Sequence, residues 1–233
     1  MSNQGKSLII RNNIERVLER IEKACRSAGR KPSEITLLAV SKTFGLEEIQ
    51  AAADCGLTAF GENKIQESVR KYEALGNSVR WHFIGHLQTN KVKFAVKVFD
   101  WIHTVDSLKL LEKLSQKAVR NINVLVQLNL AGEEQKSGLS FPEALTVITA
   151  ASSAPNLSLK GVMAIPPYSP APENSRPHFK EMFLARQKLE RETGLKLEKL
   201  SIGMSHDFEV AIQEGADIIR VGSAIFGPRS YKI

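Results

Sequence analysis

The chain has 233 residues, 42% of them hydrophobic, enough to bury the core of one large α/β domain or two small ones. Its net charge of +7 does not specify nucleic acid, because the basic residues are scattered over helical segments and gather only at Lys91, Lys93 and Lys97. Phe94 alone falls among these lysines, short of the series of aromatics that a stacking platform requires, so a solvated face is the first reading and attraction to small phosphate-bearing molecules the second. The start is polar, and no run approaches the ~18 apolar residues of a membrane span. Cys25 and Cys55 form no C-x-x-C motif and read as reduced thiols. A soluble, cytoplasmic protein is expected.

Residues 7–28 form an amphipathic helix: Ile10, Ile14, Val17, Leu18, Ile21, Cys25 and Ala28 share one stripe, and Gly29 can end it. This helix precedes the first strand and so lies outside any regular repeat. Residues 35–41 are aliphatic and β-branched, and Pro32 and Gly45 leave too little room for a helix. They read as a strand buried on both faces. Lys42 stands at its carboxyl end. Burial there disfavours the charged form and lowers the pKa, which turns lysine into an amine able to form an imine with a carbonyl. A snorkelling lysine at a strand end is the plainer alternative.

A helix over 46–55 follows, then a short strand over 58–60 that runs into Gly61-Glu62-Asn63. The next helix carries Ile65, Val69 and Tyr72 on one side, and a strand over 80–84 leads through Gly85 to a helix over 88–98. Residues 101–105 are a strand, Ser107 caps a helix with Leu108, Leu111, Leu114 and Ala118, and 123–130 is the clearest buried strand. Ser140 and Glu143 frame a capping box, with Pro142 in the first turn of a helix to about 152. The strand at 159–165 empties into 166–177, which holds five of the nine prolines and reads as an extended loop. A helix over 177–193 stops at Gly194; a strand over 199–202, a helix from Asp207 to Gly215 and a strand over 217–221 complete the chain.

About eight short strands alternating with helices close most economically as a (β/α)8 TIM-type barrel. The expectation is therefore an α/β, single-domain barrel over 1–233 with an extra N-terminal helix. A doubly wound open sheet is the runner-up, although no Gly-x-Gly-x-x-Gly follows the first strand.

In such a barrel the chemistry sits at the carboxyl ends of the strands. Lys42, Gly61-Glu62-Asn63, Gly85-His86, Asn129, Met163, Gly203-Met204-Ser205 and Gly222-Ser223 all fall there. The last two strand ends, Ser-Ile-Gly-Met-Ser at 201–205 and Val-Gly-Ser-Ala at 221–224, supply small residues where backbone can approach a ligand. Asp207 opens the helix after the first, whose N-terminus can present N–H groups to an anion. Loops after strands seven and eight frequently bind phosphate; otherwise the glycines only turn the chain and the serines only cap helices. Arg220 shares a face with Gly222. An inward guanidinium needs an acceptor, either a ring nitrogen of a bound heterocycle or a carboxylate such as Glu62. His82 and His86 are spaced H-x-x-x-H across a strand end rather than on one helix, so a metal site is not expected. No Ser/His/Asp or Cys/His order and no paired carboxylates stand out.

Six stretches carry a family resemblance: Ala-Val-Ser-Lys-Thr at 39–43, Phe-Gly-Glu-Asn at 60–63, Trp-His-Phe-Ile-Gly-His-Leu-Gln-Thr-Asn-Lys at 81–91, Gly-Val-Met-Ala at 161–164, Ser-Ile-Gly-Met-Ser at 201–205 and Arg-Val-Gly-Ser-Ala-Ile-Phe-Gly at 220–227. In order and together they resemble the pyridoxal phosphate homeostasis proteins. That family is similar in fold to the N-terminal barrel of alanine racemase and lacks its second, β-rich domain. The resemblance implies that Lys42 holds pyridoxal 5′-phosphate as an imine. It implies that Ser201, the backbone of Gly203, Met204 and Ser205, and Gly222 with Ser223 hold the phosphate. Arg220 would face the pyridine nitrogen and Asn63 would line the cofactor. An arginine at that nitrogen disfavours its protonation, leaving a weaker electron sink than a pyridinium.

The implied function is a carrier in vitamin B6 and amino-acid/keto-acid homeostasis, not an enzyme, with no metal. The implied partners are pyridoxal phosphate and apo-enzymes that use it, with no specific nucleic acid and no membrane, and the protein is expected to be a monomer. The alternatives are a pyridoxal phosphate-dependent amino-acid racemase and an aldolase-type barrel with a substrate imine on Lys42. A racemase needs an acid/base on each face of the substrate carbon. Of Tyr72, Tyr168 and Tyr231, only Tyr168, in the proline-rich loop, is placed to reach the site.

Overall fold

The computed structural model describes residues 3–130 and 137–228. Eight strands, β1 Thr36–Val40, β2 Ala59–Glu62, β3 Arg80–Phe83, β4 Trp101–Val105, β5 Ile122–Leu128, β6 Leu157–Ala164, β7 Lys199–Met204 and β8 Ile218–Val221, pair in sequence order as one closed parallel barrel. Around them, among the described residues, run α1 Asn3–Ser27, α2 Leu46–Asp54, α3 Ile65–Leu75, α4 Val92–Val98, α5 Leu108–Lys117, α6 Phe141–Ser152, α7 Arg176–Thr193, α8 Phe208–Gln213 and α9 Ser223–Phe226. Closure falls between β1 and β8, where Leu38 pairs with Arg220 and Ala39 with Val221. That pairing removes the open-sheet alternative.

The two-residue period of each strand sorts its side chains into two layers. Leu38, Ala59, Leu125, Met163 and Ile218 fill the barrel lumen. Their neighbours, such as Ala39, Phe60, Trp81, Phe83, Val124 and Ile219, pack outward under the helices. This double burial explains why these strands read as continuous apolar runs. Each fully buried Leu, Ile or Phe contributes roughly 1.5–3 kcal/mol.

Helix α1 covers the closure seam by packing on α2, α8 and α9. Asn13 donates to Ile225 O (2.9 Å), and Arg20 meets Glu209 (2.6 Å) while lying over the Phe208 ring. The helix outside the repeat therefore braces the first and last staves.

Several boundaries differ from expectation. Strands β2 and β7 run on to Glu62 and Met204, because the ladder continues: Glu62 pairs with Phe83, and Met204 with Arg220. Residues 88–98 divide into a 3-10 turn, Thr89–Lys91, and α4. Helix α9 was not anticipated, since four residues are too few to show a helical period.

Gly161 marks a tight crossing between β6 and β7. Its φ is +154°, and a Cβ there would overlap the carbonyl of Lys199. Gly161→Ala is expected to cost about 3 kcal/mol or more, as overpacking against backbone does. Gly194→Ala has open space and only an unfavourable φ of +68°, and should cost about 1–2 kcal/mol. Guanidinium unfolding midpoints of the two variants check this, and equal losses would contradict the close approach.

Candidate functional site

The mouth of the barrel is built from the segments that follow the strands. Leu38 lies in the lumen cluster and Ala39 in the outer layer, and β1 delivers the chain to the mouth at Val40. Lys42 is half-buried and sits in the turn after β1. Ser41 and Thr43 flank it, and the Phe44 ring stacks on Phe226 of α9 at 4.9 Å. The turn is thereby tied to the segment after β8. Gly222 lies against Val40, and a Cβ on it would come within 3.2 Å of Val40 O. Asn63, two residues beyond Gly61, is seated by Gly85, where a Cβ would overlap the Asn63 backbone.

Beneath the mouth runs a polar chain that crosses the lumen. Arg220 is buried, and its Nη1 donates to Ser201 O (2.7 Å) and Oγ (2.9 Å) while Nη2 donates to Ala164 O (2.9 Å). His103 Nδ1 lies 3.1 Å from Ser201 Oγ, and His103 Nε2 lies 2.9 Å from His82 Nδ1. The His82 ring stacks on Trp101 at 5.3 Å. The proton order that uses the Ser201 hydroxyl runs from Arg220 to Ser201, from Ser201 to His103 and from His103 to His82, with both rings neutral. Burial enforces that neutrality. His82 is held down to about 3 by desolvation, then by the charge of Arg80, and His103 lies well below its usual range through burial first, then through the repulsion it would meet from a protonated His82 and from Arg220. Desolvation also lowers Arg220, to about 10, which leaves it cationic at neutral pH.

The carboxylate alternative for Arg220 does not hold. Glu62 points outward, where it accepts from Ser41 Oγ (2.6 Å) and Lys71 Nζ (2.7 Å). Its place at the end of β2, one residue past the inward Gly61, puts it on the opposite face. The guanidinium is satisfied instead by β6 and β7.

The segments after β7 and β8 meet. The Ser205 hydroxyl accepts from the backbone N–H of Gly222 (3.0 Å) and of Ala224 (3.4 Å). Gly203 has φ +87°, and a Cβ there would lie 2.5 Å from Ala211 Cβ, so only glycine lets β7 turn under α8. Asp207 does not cap its own helix. Its carboxylate takes the Met204 N–H at 2.7 Å, shaping the 204–207 loop. Lys42, Ser205, Gly222 and Ser223 are thus brought to one side of the mouth, where β1 adjoins β8. Ser201 is placed lower, with Arg220, rather than beside Ser205.

His82 and His86 are held in different places. His82 is in the lumen, whereas exposed His86 pairs with Asp106 Oδ2 (3.0 Å) and Ser137 Oγ (3.2 Å). Tyr168 is 77% exposed and lies against His206, whose Nε2 donates to Pro170 O (2.8 Å). Tyr231 lies outside the described residues. The sequence reading missed His103 as a lumen residue; its place on β4 in phase with Trp101 is the signal that could have found it.

A closed parallel barrel with a lysine after its first strand and a lumen arginine on its eighth belongs to the alanine racemase N-terminal domain class, whose family model matches residues 10–230. Within that class the chain belongs to the pyridoxal phosphate homeostasis protein family. It is 44% identical over 222 residues to the pyridoxal phosphate homeostasis protein of Aquifex aeolicus, covering 94% of this chain and 97% of the relative. A solved protein of unknown function from Bifidobacterium adolescentis superposes with a TM-score of 0.89 at 33% identity, covering 97% of this chain and 98% of that one. PipY of Synechococcus elongatus, solved with PLP bound, gives 0.79 at 32% identity, covering 89% and 100%.

The lumen histidines make stability depend on pH. In the folded state His82 stays unprotonated to about 3, whereas the unfolded chain takes up a proton near 6.5. The stabilisation is complete above pH 6.5 and is lost as pH falls towards 3. His82 alone should remove about 2 kcal/mol by pH 5, and His103 acts in the same direction. His82→Gln should flatten the fall in unfolding free energy between pH 7 and 5 by about that amount. An unchanged slope would show that His82 titrates freely.

Proposed function

We propose that this protein binds pyridoxal 5′-phosphate on Lys42 and acts as a carrier in vitamin B6 and amino-acid/keto-acid homeostasis. The observation that carries the reading is the convergence of two backbone N–H groups on one oxygen position, that of Ser205 Oγ, beside the strand that bears Lys42. A loop that already aims N–H donors at an oxygen suits a phosphate. The residues fit the group elsewhere as well. Arg220 is a fixed cation two residues below Gly222, and Gly203 and Gly222 are sites of close backbone approach.

Bound pyridoxal phosphate supplies an aldehyde for capture by an amine and a pyridine ring that can withdraw electrons. Lys42 is the attachment point. Ser205, Gly222 and Ser223, with the loop shaped by Gly203 and Met204, hold the phosphate, and Asn63 lines the other side. Ser201 acts through Arg220: its carbonyl and hydroxyl fix the guanidinium. A permanent cation at the ring nitrogen disfavours protonation there. The carrier works as a cytoplasmic monomer and yields its cofactor to apo-enzymes.

Borohydride treatment of the protein incubated with cofactor should fix one pyridoxyl group, mapped to Lys42 by peptide mass spectrometry. Label on another lysine, or none, would sink the assignment.

Carrier and racemase differ in the second proton donor. Lys42 can serve one face of a substrate carbon, but Tyr72 is committed to Asn77 on the outer helix layer (3.3 Å) and Tyr168 stands in solvent. A residue so placed is poorly preorganised for proton transfer. D- and L-alanine should therefore interconvert no faster than with free pyridoxal phosphate. Turnover well above that rate, abolished by Tyr168→Phe, would make this protein an enzyme.

A further inference from the structure

The turn that carries Lys42 has an unusual backbone. Ser41 O accepts from Phe44 N–H at 3.1 Å, closing a four-residue turn with Lys42 and Thr43 at its centre. Thr43 has φ +72°, the value that the third position of a type II turn demands and that glycine or asparagine normally supplies. A β-branched residue there is an outlier that persists only when its surroundings over-determine it.

The surroundings do so, from outside the barrel. Lys71 of α3 is buried, and its ammonium donates to Ser41 O (2.9 Å), Glu62 Oε1 (2.7 Å) and Glu67 Oε1 (2.6 Å). Glu67 Oε1 also accepts the Thr43 N–H at 2.8 Å, and Glu62 Oε1 accepts from Ser41 Oγ at 2.6 Å. The residues on both sides of Lys42 are thus tied to one ammonium and two carboxylates. The carboxylates are unequal. Burial holds Glu62 above its ordinary range, against Lys71 and Ser41, and among the described residues its Oε2 has no hydrogen-bond partner. In Glu67, burial is outweighed by the hydrogen bonds from Lys71 and the Thr43 N–H, which lower it.

We infer that Glu67 and Lys71 are positioning residues for Lys42, which hold the 41–44 turn in the left-handed Thr43 conformation and so set the lysine's backbone at the barrel mouth. This rests on the reading of Lys42 as the attachment point. Neither residue touches the cofactor in this scheme. Both act through the backbone, and a small error in the placement of a reacting group is costly in rate.

Glu67 is the member to change, because it lies partly in solvent (28% exposed) whereas Lys71 and Glu62 are sealed. In the full-length protein, Glu67→Ala should slow borohydride-trapped pyridoxyl capture at Lys42 by about tenfold. It should also speed amide hydrogen exchange in residues 41–44 while exchange in the barrel strands stays unchanged. Glu67→Gln keeps an oxygen for the Thr43 N–H and should restore both. In a Thr43→Gly background, where the left-handed conformation needs no brace, Glu67→Ala should change the capture rate less than about twofold. Wild-type capture and exchange in Glu67→Ala would overturn the proposal, as would a full tenfold loss in the Thr43→Gly background. Label away from Lys42 in the unaltered protein would instead sink the attachment reading, and exchange at 41–44 would still decide the brace.

Discussion

Arg220 places a desolvated cation inside a parallel barrel, and much of the lumen is arranged to satisfy it. At about 10 its guanidinium remains charged at neutral pH, so leaving its N–H groups unmatched would cost several kcal/mol. Oxygens of β6 and β7 meet it. Using Ser201 in this way requires a partner for the hydroxyl, which His103 provides, and His103 in turn requires His82. The lumen therefore divides: β3, β4, β7 and β8 contribute a polar chain, while Leu38, Ala59, Leu125, Met163 and Ile218 fill the remainder. The chain holds one permanent charge because both imidazoles stay neutral.

The same arrangement decides what can happen at the mouth. A guanidinium fixed by Ser201 and Ala164 keeps positive potential on the lumen side of the β1–β8 seam. Small residues at Gly203, Gly222 and Ser205 let backbone donors approach from the rim. Cation below and N–H donors above suit a phosphorylated heterocycle. In the proposed arrangement a cation at the ring opposes its protonation, which favours holding the ligand over activating it. The histidines do not offset this, since burial removes them from proton exchange near neutral pH.

Two ionic devices sit on opposite sides of the strand layer. Inside, Arg220 is matched by neutral oxygens. Outside, Lys71 is matched by carboxylates of Glu62 and Glu67. The first faces the barrel lumen and the second faces α3, separated by the thickness of the sheet. Each stave end thus presents one face to chemistry and the other to support, which the two-residue period of a strand makes possible.

The barrel was legible in the sequence because double burial writes apolar runs and glycine punctuation directly into the chain. Strands at 101–105 and 217–221, the Ser107 cap and the Gly194 stop all follow from such local rules. Lys42, Ser205, Gly222 and Arg220 could be singled out for the same reason: strand ends and strand phase are one-dimensional properties. What they touch is not. Glu62 read as a partner for Arg220, yet closure and the β2–β3 ladder put it on the other face, against a lysine nine residues on. His82 and His103 lie 21 residues apart and Ser201 another 98 beyond, and only closing the barrel brings them into one hydrogen-bonded chain. Thr43 shows the limit most plainly. Its side chain favours an ordinary extended backbone, and the left-handed turn it adopts exists because α3 docks a lysine and a glutamate against it, a contact that depends on the tertiary packing of the helix and not on any residue beside it.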